Sequence, residues 1–248
     1  MKINLWQIFN LTVVAGVFLI AIRTFSTSRA LLLGVALAVG ALAIIDSIFL
    51  RIAKKNLMHM LQVILPAFFM IGLFGTTAGI SSLFLRICLG LLAAGLFYSY
   101  QIYLGEPLPA FLEDLFVLST AFLLSIFLWS LNFFYSPPAW GTLLLSSVLF
   151  FPVFFQSFYK LEKGRGRAIL LALVAILLIS ESAWVILFLP LHFLTAAVMQ
   201  FGVFYTIYML SLAHFSGRLT RKKVYFHVGL ILIVLGISLL SSPWQPII

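Results

Sequence analysis

Charge is scarce in this 248-residue chain: Asp, Glu, Lys and Arg make up 8% of it, and only six residues are acidic. An ordinary soluble domain is about 25% charged and about 45–50% apolar. Here 64% of the residues are hydrophobic and the mean hydropathy is +1.21. Too few polar side chains are present to cover a water-facing surface, so the solvent implied for most of the chain is lipid.

Cysteine is nearly absent. The single Cys88 excludes a disulfide within the chain, and it lies in an apolar run that suits a small core residue. No metal-ligand or cofactor pattern accompanies it, so neither a metal nor a cofactor is expected. The sequence holds no His-Glu-x-x-His, Gly-x-Ser-x-Gly, phosphate-binding P-loop or Cys-x-x-Cys. These absences weigh against an enzyme and remove the common intramembrane metalloprotease chemistry.

The net charge is +9. Nucleic acid is not the expected partner, because the basic residues fall in short runs between apolar stretches instead of on one stripe. A hydrocarbon layer about 30 Å thick takes roughly 20 apolar residues per helix. That ruler predicts nine spans, at about 5–22, 30–50, 58–77, 82–104, 115–135, 138–159, 168–189, 191–213 and 224–243. The expected fold is an all-α polytopic bundle forming one integral membrane domain, residues 1–248. The count falls to eight if residues 58–77 lie in the interface. The run Leu5–Ile22 reads as an uncleaved first helix, since no small-x-small site follows it.

Lys and Arg set the orientation. One side collects Lys2, then Arg51, Lys54 and Lys55, then Lys160, Lys163, Arg165 and Arg167, then Arg218, Arg221, Lys222 and Lys223. The other side has only Arg23, Arg29 and Arg86. The richer side marks the cytoplasm, which places the N-terminus inside, the C-terminus outside and the protein in a cell inner membrane. Tyr135, Trp140 and Trp244 then fall at the outer interface, and Trp6, Tyr103, Tyr159 and Tyr225 at the inner one. The basic runs 160–167 and 218–223 are expected to meet anionic lipid headgroups as well.

Small residues four apart, Gly34 with Ala38, Ala36 with Gly40 and Gly90 with Ala94, let helices approach closely in lipid. They serve packing within the chain, a homo-oligomer or a membrane-protein partner, three readings that stay open. Pro66, followed by Gly72 and Gly75, is expected to kink or interrupt its helix, either structurally or as transporters build a site.

Polar residues at bilayer depth are the candidate functional groups. Glu181 precedes Pro190 by nine residues and Gln200 follows it by ten, so an antiparallel hairpin turning at Pro190 brings both to one depth. A Glu181–Gln200 hydrogen bond forms there if both face the interhelical seam, either locking the hairpin or making a proton-relay or substrate site. Arg86 snorkels to headgroups or reaches inward to Glu181. His192, about 16 Å along the hairpin from Glu181, is expected at the outer interface. Asp46 is expected to pair with Arg51, Lys54 or Lys55. Glu113 and Asp114 suit the first turn of a helix, where the macrodipole favours carboxylates, or a cytoplasmic-face acidic site.

Three functions remain. Transport or flipping of a small or amphipathic substrate predicts a polar cavity at Glu181 and Gln200. A non-catalytic accessory subunit of a membrane complex predicts tight packing and an apolar face for a partner. An enzyme acting on a lipid-linked substrate needs Glu113, Asp114 and the basic loops in one cleft.

Overall fold

A computed structural model describes residues 65–73, 75–76, 84, 88–92, 95–96, 110–162 and 165–241. The expected spans 5–22 and 30–50 lie outside the described residues, as do most of 82–104 and part of 58–77. So do Arg86, Asp46, Lys163, the pairs at Gly34–Gly40, and Ala94.

Five helices among the described residues are long and apolar enough to cross a membrane. They are α1 (Ala110–Tyr135), α2 (Ala139–Glu162), α3 (Arg165–Leu187), α4 (Phe193–Phe215) and α5 (Arg221–Ser241). No strand occurs among the described residues. The protein is all-helical there, as its composition requires, because a backbone in lipid must satisfy its own hydrogen bonds. Contacts divide the chain into two compact units, Met1–Phe127 and Leu128–Ile248.

In the first unit, the helical residues 65–73 pack on the N-terminal part of α1. Phe69 stacks on Phe116 with ring centroids 4.7 Å apart. A Cβ on Gly72 would lie 2.8 Å from the Leu123 Cβ, and one on Gly75 would overlap the Phe127 ring. The Thr76 hydroxyl donates to the Gly72 carbonyl at 2.7 Å and lies 3.2 Å from the Leu123 carbonyl. These two glycines therefore serve close helix approach, the role small residues have where van der Waals packing supplies most of the association energy.

In the second unit, local chemistry sets the described turns. α1 stops at Tyr135 because Ser136 adopts φ 46° and donates its N–H to the Asn132 carbonyl at 3.0 Å, ahead of Pro137 and Pro138. A left-handed residue followed by proline is a common helix stop. The Pro138 carbonyl then accepts from Gly141 and Thr142 at the start of α2. Past α3, Phe188 and Leu189 donate to Val185 and Ile186, tightening the last turn before Pro190. His192 caps α4, its Nδ1 accepting from the Leu194 N–H at 3.4 Å. α4 ends in a Schellman arrangement: Gly217 at φ 65° donates to His214, and Arg218 donates to Ala213. Thr220 opens α5, its hydroxyl accepting from the Lys223 N–H at 3.4 Å.

Both small and large residues fill the interior of the second unit. The buried residues of α3 are Ala168, Ala172, Ala175, Ile176, Ile179, Ala183 and Ile186, four alanines and three isoleucines at helical spacing. α2 contributes Phe150, Phe154 and Phe158, all buried. Phe204 of α4 sits against Phe154 at 4.5 Å and Phe150 at 5.7 Å, and Phe158 meets Phe215 at 6.4 Å. α5 rests on α4 where Gly202 leaves room, a Cβ there lying 3.3 Å from Ile231 Cγ2.

Candidate functional site

The serines that flank Glu181 define the setting of α3. Ser180 and Ser147 of α2 share a hydrogen bond of 3.0 Å between their hydroxyls. Ser182 lies 3.5 Å from the Gln200 Oε1 of α4 and also donates to its own helix at the Ile179 carbonyl, 2.7 Å away. Gln200 is fully buried, and its Nε2 donates to the same Ile179 carbonyl at 3.1 Å. A polar seam thus runs from α2 through α3 to α4, with both ends of the Gln200 carboxamide engaged.

Successive residues of a helix are turned by about 100°. Ser180 facing α2 and Ser182 facing α4 therefore leave Glu181 pointing away from both. Glu181 is exposed, and among the described residues no hydrogen bond or ion pair reaches it. The expected Glu181–Gln200 bond is not formed. Depth matching placed the two residues correctly along the hairpin, but the rotation of α3 separates them. Glu181 also lies off the centre of the span Gly166–Leu187, about 7 Å toward the Pro190 turn.

The remaining candidates sit on several elements. Glu113 and Asp114 are half-buried in the first turns of α1. Arg218, Arg221, Lys222 and Lys223 are exposed around the start of α5, Lys160 is half-buried and Arg167 exposed. Arg165 opens α3. Cys88 is half-buried. His192 is not a freely solvated side chain. It is half-buried, 4.4 Å from Phe193 and 5.8 Å from Phe133 between ring centroids. Beside it, Trp129, Asn132, Ile186 and Leu191 help line a cavity of about 60 Å³, room for no more than a water or two.

Two polar features escaped the sequence reading. Tyr205 of α4 and His227 of α5 meet with the hydroxyl 3.0 Å from Nδ1. Counting outward from Gly217 places both at similar depth, the same signal that drew attention to Glu181 and Gln200. In α2, Gln156 is 2% exposed, and neither of its polar side-chain atoms has a hydrogen-bond partner among the described residues. The Ser146 hydroxyl and the Trp129 indole N–H are buried in the same condition. No sequence signal distinguishes them from bonded residues of the same kind.

No curated protein and no solved structure matches the chain. Residues 142–241 match the model of a family described as a protein of unknown function, DUF5656. That stretch takes in nearly all of α2 and all of α3, α4 and α5, and so the whole seam together with Glu181.

Proposed function

We propose that this protein is a non-catalytic packing subunit of a membrane complex, seated in the cytoplasmic membrane with its basic loops inside. The observation that carries this reading is the Gln200 carboxamide, fully buried and bonded to Ile179 and Ser182. A substrate site at that depth needs an open polar wall, and here Ser147, Ser180, Ser182 and Gln200 are spent on one another and on the Ile179 carbonyl. Tight α2–α3–α4 packing and the apolar outer faces of α3 and α5 fit a body whose role is to hold neighbours.

Transport or flipping is the second reading, and Glu181 alone favours it. A carboxyl exposed within a membrane span is costly in hydrocarbon and marks a functional position by default. In that reading Glu181 takes a proton or the cationic group of a substrate. A lipid-linked enzyme is the third reading, and it needs Glu113, Asp114 and the basic loops in one cleft.

Native mass spectrometry of the full-length protein, extracted from its own membrane in mild detergent, tests the proposal. A stoichiometric membrane-protein partner supports the packing subunit. A lone chain or homo-oligomer carrying a specific small molecule, lost in Glu181→Ala and kept in Glu113→Ala, overturns it in favour of transport.

A further inference from the structure

The outer face of α3 carries an apolar stripe at helical spacing. Leu170, Leu173, Val174, Leu177, Leu178, Trp184, Val185 and Phe188 are all more than two-fifths exposed. Acyl chains suit every one of them. Glu181 interrupts the stripe about 9 Å from the Leu187 end of the helix, inside the apolar span Gly166–Leu187, where a carboxyl facing acyl chains is costly.

Rotation of α3 does not relieve it. Turning Glu181 inward would break the Ser180–Ser147 bond on one side and the Ser182–Gln200 contact on the other. It would also drive the apolar outer stripe into the alanine-lined contact, where Ala172, Ala175 and Ala183 leave room only for close backbones. The seam therefore holds the carboxyl outward. A carboxylate held at this depth is satisfied by a side chain that supplies positive charge and hydrogen-bond donors together.

We propose that the outer face of α3 docks a transmembrane helix of a partner protein that presents a Lys or Arg side chain to Glu181. This rests on the packing-subunit reading and names the surface and the chemistry of the contact. Leu177 and Trp184, at four residues before and three after, lie on the same face and pack beside the charged pair. Charge complementarity supplies selectivity: a helix lacking the basic group leaves the carboxylate unpaired in hydrocarbon and is rejected.

The test uses the full-length protein in its own membrane. A photo-crosslinking amino acid replaces Leu177, Trp184 or, as an inward control, Ile176. Crosslinked peptides are sequenced. The expected result is adducts from 177 and 184, none from 176, mapping to a spanning segment of another protein within one turn of a Lys or Arg. Glu181→Gln lowers the yield about tenfold or more. Glu181→Lys abolishes it, and exchanging the partner's basic residue for Glu restores it.

Adducts that map within this chain or to a second copy overturn the proposal. So do adducts whose yield Glu181→Gln leaves unchanged. If a stoichiometric partner is present but crosslinks only from α5, the α3 site fails while the packing-subunit reading stands. If no partner is present at all, both fail. Glu181 is exposed, so its substitutions leave the seam intact; unchanged thermal unfolding of each variant in detergent verifies this.

Discussion

The Gln200 side chain donates through Nε2 to the carbonyl of Ile179, tying α4 to α3 over 3.1 Å in a fully buried setting. Gln156, another buried glutamine of the same unit, has no such partner among the described residues. The contrast makes a paired prediction. Gln200→Leu lowers stability by about 0.6–1.7 kcal/mol, the range for interhelical hydrogen bonds in membranes. Gln156→Leu removes an unsatisfied carboxamide and raises stability by about 1 kcal/mol or more. Thermal unfolding in one detergent reads both. Equal losses for the two variants would contradict the assignment of the seam.

Gly202 supplies the space in which α5 lies on α4. Gly202→Val places branched carbons against Ile231, which already stands 3.3 Å from where a Cβ would be. The expected cost is about 1–3 kcal/mol from overpacking. Ile231→Ala in the same chain recovers most of it. Failure of that rescue would mean that Gly202 acts on something other than the α4–α5 contact.

Tyr205 and His227 join the same two helices at 3.0 Å. A double-mutant cycle with Tyr205→Phe and His227→Leu is expected to give a coupling of about 0.6 kcal/mol, up to about 1.7. Additive effects would place the pair in contact without a useful bond.

The orientation read from Lys and Arg has a direct measure. Single-cysteine labelling in a Cys88→Ala background, with a reagent that does not cross membranes, is expected to reach position 190 from outside. Positions 163 and 219 are reached only after the cells are opened. With nine spans the N-terminus is labelled from inside and the C-terminus from outside. Both termini on one side would instead fit eight spans.

The helices α1 to α5 were legible because an apolar run of about 20 residues has few other fates. The observed ends differ from the expected ones by only a few residues, most at α1, which begins at Ala110 ahead of its apolar run. Its carboxylates Glu113 and Asp114 extend the helix toward water, in keeping with the helix dipole. The turn at Pro190 was legible because proline cannot continue the helix.

The candidate site was only half legible. Residue counting from Pro190 gives depth, and depth brought Glu181 and Gln200 level. Rotation depends on which faces of α3 meet α2 and α4, and that is decided by the alanine stripe and by Ser180 and Ser182. The serines flanked Glu181 in plain view, yet their partners Ser147 and Gln200 lie 33 and 18 residues away. Gly72 and Gly75 carried a similar ambiguity. Next to Pro66 they suggested a broken helix, and only their closeness to Leu123 and Phe127 reveals packing glycines.

The rotational setting of α3 underlies the whole account, and an oxygen-accessibility scan by electron spin resonance measures it most directly. Spin labels placed singly from Leu177 to Val185, on purified protein in lipid vesicles, report which positions face acyl chains. The account predicts maxima at 177–178, 181 and 184–185, with minima at 179 and 183. A minimum at 181 with maxima at 179 and 183 would turn Glu181 into the bundle and contradict it.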